Sequence, residues 1–363
     1  MTAPSGGEAS LLSAHRDFIS QLSEPNGPLH ERSPYATISD PAHFDRRQRS
    51  IGERRILHDE ILREFVAAQP NVLQDRRAII LTGPPGAGKS SALLEAIRRS
   101  GADPSEYRVI DSDYFKDVLL ERAVADGSLV AITPPEVTSA QAAGEQFYPR
   151  DFASLVHLES AVLARVARDK AIARGDRIVL DTVLGNPKAA LARGRQLENA
   201  GYDVTIVEIE VSRSGSVERS RDRYDRALLD ANKGEPQSQL GGRLVPASYI
   251  ATLYPDGQQH SLCLDSAVAL AREQPIVSRL ELFRVDDPNV REPVPVATFT
   301  TELGPIGPQL DAWLSPSPIP EPESTRANAA FPSMASVPGS ALTFAPPRFG
   351  PPVPPTQSPD HSR

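Results

Sequence analysis

One cysteine, Cys263, is all the chain has, so no intramolecular disulfide can form. That excludes a disulfide-stapled secreted scaffold and suits a reducing compartment. Between Leu262 and Leu264 the thiol reads as a buried structural group rather than a nucleophile. No apolar run approaches the roughly 18 residues of a membrane span. The first residues lack a basic stretch followed by an apolar one, so no secretory leader is expected and a cytoplasmic setting is. Lysine is scarce: five of 39 basic residues, Lys89, Lys116, Lys170, Lys188 and Lys233. The formal net charge of −8 argues against nucleic-acid binding through bulk charge. The apolar fraction, 39 % of 363 residues, is low for a compact chain. Part of the reason is that many of the 35 prolines crowd towards the C-terminal end.

Composition divides the chain into three parts. Residues 1–40, rich in Ser, Pro and Gly, read as a flexible N-terminal arm with one short apolar-periodic piece at 11–22. Residues 41–287 carry the structured domain. Its first helix lies within 41–68, where Ile51, Ile56, Leu57, Ile61, Leu62 and Phe65 recur at helical spacing before Pro70 stops it. Short, continuously apolar strands then alternate with helices. Strands are expected at 78–82, 108–110, 177–180, 204–211 and 278–285, and helices at 90–100, 152–174, 188–200 and 217–231. This alternation predicts an α/β fold with a parallel sheet covered by helices on both faces. Residues 288–363, rich in Pro, Ser and Ala, read as a disordered tail in which only the surroundings of Trp313 could dock. A proline-rich tail can bind SH3-like partners, but plain disorder is the simpler reading.

The strongest motif is Gly83-Pro84-Pro85-Gly86-Ala87-Gly88-Lys89-Ser90, which fits G-x-x-x-x-G-K-[ST] between a strand and a helix. Glycines let successive amides curl round a phosphate, and the following helix adds its positive dipole end. Residues 83–91, Ser91 included, are therefore the expected nucleotide site. Lys89 would reach the β- and γ-phosphates of ATP or GTP, and Ser90 would hold Mg2+. The whole is a P-loop phosphotransferase.

Chemistry beside the loop falls to carboxylates and arginines. Asp111 and Asp113 follow the second strand, and a hydroxyl kinase needs a base near its acceptor. Either could serve while the other caps a helix, and Asp113 is the preferred base. Asp181 ends the third strand, facing Mg2+ or substrate. Arg219, Arg223 and Arg226 share one face of the 217–231 helix. They could neutralise a transferring phosphate, or form a solvated face with Asp222, Asp225 and Asp230. Arg243 sits on a turn from which it could reach inward, and His157 reads as a packing or surface residue. Glu159 is ambiguous.

Taken in order, the loop, Ile110-Asp111-Ser112-Asp113-Tyr114-Phe115-Lys116, the strand ending at Asp181, Arg223-Tyr224 and Gly242-Arg243-x-x-Pro246 resemble the zeta toxin family over residues 50–285. That resemblance implies a kinase for the 3′-hydroxyl of the sugar in UDP-N-acetylglucosamine, with ATP or GTP and Mg2+, and an antitoxin partner. It implies Asp113 as general base, Asp111, Asp181 and Thr182 on the acceptor side, and Arg223 and Arg243 around the phosphates. Two departures lie on that side. Thr182-Val183 stands where the family has Gly-Thr, and Arg165 stands near a substrate-contacting Glu. NAD, phosphorylated at a ribose hydroxyl by a related effector group, or an antibiotic hydroxyl is therefore an alternative acceptor. A nucleotide-dependent switch signalling through the tail is a third reading. The Asp113 base and the lack of a water-positioning glutamine oppose it.

Overall fold

The computed structural model describes residues 6–256, 258, 260–285 and 292–314. Helix α1 (Gly6–Leu22) is joined to α2 (Gly52–Ala67) by a string of turns. Strands and helices then alternate: β1 (Arg77–Thr82), α3 (Lys89–Arg99), β2 (Arg108–Ile110), α4 (Ser112–Ala125), α5 (Pro135–Ala142), α6 (His157–Arg174) and β3 (Ile178–Asp181). The run continues with α7 (Pro187–Asn199), β4 (Asp203–Val211), α8 (Arg213–Asn232), α9 (Ala247–Thr252), α10 (Leu262–Glu273) and β5 (Val277–Val285). Last come β6 (Val294–Thr300) and α11 (Ile306–Leu314).

The strands form one sheet in the order β2-β3-β1-β4-β5-β6. The first five are parallel, as the alternation of strands with helices predicts, and β6 is antiparallel to β5. β1 shows why the centre must be covered twice. Ala78 and Ile80 enter the larger core, while Ile79 and Leu81 enter the smaller one with Ala92, Leu93, Ala96 and Ile97 of α3. Parallel register aligns Leu81 with Asp181 and Ile110 with Leu180. The carboxyl ends of β1, β2 and β3 therefore finish at one edge, where open α/β sheets bind ligands.

Two sequence expectations are corrected. Residues 1–40 were expected as a flexible arm, yet within 6–40 a helix forms and its successor turns are anchored. Ile19, Leu22, Leu29 and Ala36 join the larger core, and Leu12 packs with Tyr148, Tyr224 and Leu228. Leu29 N–H donates to the Leu22 carbonyl at 2.9 Å, and Thr37 N–H donates to the Leu155 carbonyl at 3.0 Å. The turn-rich composition is real, but apolar residues at the turn corners supply burial that composition averages away. The second correction concerns 288–363. Within it, β6 completes the sheet, which the sequence did not suggest, while α11 docks where the surroundings of Trp313 were expected to, with Phe299 edge-on to Trp313 and Leu310 fully buried. The proline-rich stretch beyond 314 lies outside the described residues. In α2, Ile51 and Ile56 prove exposed, and His58 takes a place on the buried face with Ile61, Leu62 and Phe65. Among the described residues no helix is long and apolar enough to cross a membrane.

Because Leu29 is 0 % exposed within this core, Leu29→Ala should lower the unfolding free energy in a denaturant titration. A loss of about 2–5 kcal/mol is expected for such a truncation. A merely loose arm predicts no change.

Candidate functional site

The glycine-rich turn leaves β1 at the ligand edge of the sheet. Gly83 takes φ +144°, and a Cβ there would stand 2.5 Å from the Ile209 carbonyl oxygen of β4, so a side chain would push the turn off the sheet. Gly88 takes φ +87° and starts α3. The amides of Gly86, Gly88, Lys89 and Ser90 donate to no backbone carbonyl among the described residues. The first N–H groups of α3 thus remain available beside its dipole. Lys89 Nζ lies 3.2 Å from Asp181 Oδ1. Burial alone would discharge Lys89, but the charges of Asp181, Asp111 and Asp113 outweigh it and hold the ammonium above its ordinary value.

The two aspartates after β2 divide their work. Asp111 caps α4, its carboxylate accepting from the Asp113 N–H at 2.8 Å. That leaves the Asp113 carboxylate free to meet side chains. Lys116 Nζ donates to Asp113 Oδ1 at 2.9 Å, and Arg243 Nη1 lies 2.5 Å from Asp113 Oδ2. Burial would raise the Asp113 carboxyl, but Arg243 and Lys116 overcome it and hold Asp113 well below the usual carboxylate range. Asp111 moves the other way, raised to about 7 by burial and by the charges of Asp113 and Asp181.

Asp117 and Arg150 escaped the sequence reading. Arg243 Nη2 donates to Asp117 Oδ1 at 2.7 Å. Arg150 donates to both Asp117 oxygens, through Nε at 3.0 Å and Nη2 at 2.9 Å. Arg150 also donates from Nη1 to the Gly241 carbonyl at 2.9 Å. One carboxylate on α4 thus fixes the turn that carries Arg243. The available signal was spacing, since Asp113 and Asp117 are four apart on one helix. The Arg243 Nε is buried without a hydrogen-bond partner, an orphaned cationic donor that an anionic oxygen would satisfy.

α8 supplies the facing wall. Ser216 Oγ donates to the Pro85 carbonyl at 2.7 Å, and Arg219 Nε donates to the Gly86 carbonyl at 2.6 Å, so the helix grips the loop from outside. Arg223 and Arg226 stand further along the same wall, with Arg223 exposed. The open cavity measures about 1430 Å³, room for two small molecules where one commonly takes ~300–1,000 Å³. Its lining includes Ser90, Ser91, Thr182 and the three candidate aspartates.

Other expectations are placed outside the cavity. Glu159 accepts from Arg54 Nε and Nη2, both at 2.6 Å, and pairs with His58 Nε2 at 2.7 Å, tying α2 to α6. Arg165 is exposed elsewhere on α6. Cys263 is fully buried, and burial pushes its thiol up to about 12, as a structural thiol requires. His157, expected to pack or face solvent, lines the cavity instead.

A phosphate chain fits what is present: open amides, a firmly charged lysine and an unsatisfied guanidinium N–H. Mg2+ held by Ser90 and phosphate oxygens needs no all-protein cage. Among the described residues no three His, Cys, Asp or Glu side chains converge to make one.

The family described as Zeta toxin matches residues 64–286. No curated protein matches the chain. Among solved structures, the PezAT chromosomal toxin–antitoxin system of Streptococcus pneumoniae is similar at 16 % identity and a TM-score of 0.41, over 66 % of this chain and 79 % of that one. A complex of AvrRxo1-ORF1 and AvrRxo1-ORF2 with sulphate ions is similar at 14 % identity and a TM-score of 0.47, over 76 % of each chain. The same pair with ATP is similar at 15 % identity and a TM-score of 0.42, again over 76 % of each.

Lys89→Ala should weaken Mg-ATP binding by about 10- to 100-fold in calorimetry, the scale of one charge-assisted hydrogen bond. An unchanged affinity would remove the lysine from the phosphate site.

Proposed function

The chain belongs to the zeta toxin family, and from that premise we propose that it transfers the terminal phosphate of ATP or GTP to a sugar hydroxyl of a nucleotide sugar, with UDP-N-acetylglucosamine the favoured acceptor. One observation carries the reading. A single cavity is lined by the glycine loop and Lys89, by arginines of α8, and by Asp111, Asp113 and Asp181 at the ends of β2 and β3, with Lys89 paired to Asp181.

In this reading Lys89 and the loop amides hold the donor's phosphates. Ser90 would help to hold Mg2+, which would supply charge neutralisation along the donor's phosphates. Asp113, ionised at neutral pH, accepts the proton of the acceptor hydroxyl. The hydroxyl oxygen bonds to the γ-phosphorus as the bond to the bridging oxygen breaks, and the nucleoside diphosphate leaves. Arg223 and Arg243 face the charge that develops on the transferring group. Lys89 and Arg243 each hold a carboxylate in this structure, Asp181 and Asp113 respectively. Both cations stay charged and preset until phosphate competes for them.

Asp111, Asp181 and Thr182 belong to the acceptor side. Thr182 Oγ1 accepts from the Leu184 N–H at 3.3 Å, so its hydroxyl is turned towards its own backbone. The Thr182-Val183 departure from the family is the ground for keeping NAD as a second acceptor. Draining a cell-wall precursor would harm the producing cell, so an antitoxin partner is part of the proposal.

Purified protein with Mg-ATP and a metabolite extract should yield one nucleotide sugar heavier by a phosphate in mass spectrometry. A gain on NAD instead would move the acceptor, and no gain on any species would defeat the kinase reading. Asp113→Asn should lower kcat/KM by about 10²- to 10⁴-fold, the usual worth of a general base. A base must be deprotonated, so rate falls as pH drops through its pKa. With Asp113 held low, kcat/KM should show no loss from this group between roughly pH 8 and 5. An acid limb near 7 would assign the base to Asp111.

A further inference from the structure

The family match begins at residue 64, yet the cavity does not end there. His30 and Glu31 line it, on a segment whose neighbour Leu29 is fully buried in the core. The His30 N–H donates to the Gly27 carbonyl at 3.1 Å. This part of the wall is therefore fixed rather than draped.

Both signs of charge line the cavity. Asp113 is engaged by Lys116 and Arg243, and Asp181 by Lys89. Glu31 is a further carboxylate of the lining, brought by the N-terminal segment, and a carboxylate suits a group that donates hydrogen bonds.

Glu31 is poorly satisfied by protein. Its carboxylate lies 3.4 Å from His157 Nε2 and 3.7 Å from Arg32 Nε, both beyond good hydrogen-bond length. Burial, with the Lys116 charge adding, lowers His157 against the pull of Glu31 and Asp113, so the ring is neutral at neutral pH. A neutral imidazole offers one donor and one acceptor, and a carboxylate offers only acceptors. Two hydroxyls can bridge such a pair, donating to the carboxylate and exchanging a hydrogen bond with the ring. Tyr249, 43 % exposed, lines the same cavity. The Tyr249 ring offers a face for the C–H side of a sugar.

We infer that Glu31, with His157, reads hydroxyls of the acceptor's sugar other than the one phosphorylated, making the N-terminal segment a specificity-determining wall of the site. The inference rests on the kinase reading above and adds which residues choose the acceptor. Glu31 takes no part in the proton transfer.

The test uses the full chain with saturating Mg-ATP and, as acceptor, whichever of UDP-N-acetylglucosamine and NAD the wild type phosphorylates. Glu31→Gln should raise the acceptor KM about tenfold or more. The KM for ATP, kcat and the melting temperature should stay within error or about twofold. His157→Gln should raise the same KM. An unchanged acceptor KM in Glu31→Gln overturns the inference. So does a parallel rise in both KM values with a fallen melting temperature, which marks a structural role. Wild-type protein that binds Mg-ATP but phosphorylates neither acceptor overturns the sugar assignment and leaves the nucleotide site standing. Protein that binds no Mg-ATP fails the kinase reading itself.

Discussion

One ammonium among three carboxylates is the constraint on which the site turns. Lys89 stands where the ends of β1, β2 and β3 converge, facing Asp181, Asp111 and Asp113. Three like charges in so small a volume cannot all be ionised cheaply. The protein resolves the conflict by unequal treatment. Asp113 is stabilised by Lys116 and Arg243, Asp181 by Lys89, and Asp111 is left with a helix cap and the repulsion of the other two. Its raised pKa is the residue of that imbalance. Removing any cation would shift the burden to the remaining groups, which makes the cluster act as a unit.

The geometry behind this cluster is set by the sheet and not by the loops. Register brings Leu81 opposite Asp181, so the lysine that follows β1 and the aspartate that ends β3 must meet. Gly83 has to be glycine because β4 is too close for a Cβ. α8 then holds the loop through the Pro85 and Gly86 carbonyls, leaving the amides on the other side of the peptide planes for a ligand. Donor recognition is thus built from rigid, mostly local parts.

Such local parts were legible in the sequence. β1 and β3 carry short continuous apolar runs, the loop is a contiguous motif, and Asp111 and Asp181 close strands whose ends can be read directly. What stayed hidden depends on distant partners. Arg150 meets Asp117 across 33 residues, and Arg243 meets the same carboxylate across 126, so neither pairing leaves a trace in local spacing. β6 carries Val294 and Val296 on an exposed edge and follows a proline-rich stretch, which masks its strand character. The N-terminal segment failed for a related reason. Single apolar anchors such as Leu29 and Ala36 between turn residues have no period to detect, although each is buried.

That hidden segment also separates two kinds of constraint. The loop, Lys89 and α8 all fall within the family match. The cavity is also lined by α4, the start of α6, α9 and residues 30–31, elements that meet only in the folded state, and residues 30–31 precede the match. Yet the segment is not free to drift. Arg16 grips Asp225 on α8 at 2.6 Å, and His15 joins Glu145 at 2.6 Å. Through Arg16, α1 is bound to the helix that carries Arg219, Arg223 and Arg226. The segment that brings Glu31 to the cavity is thus tied both to the core and to α8.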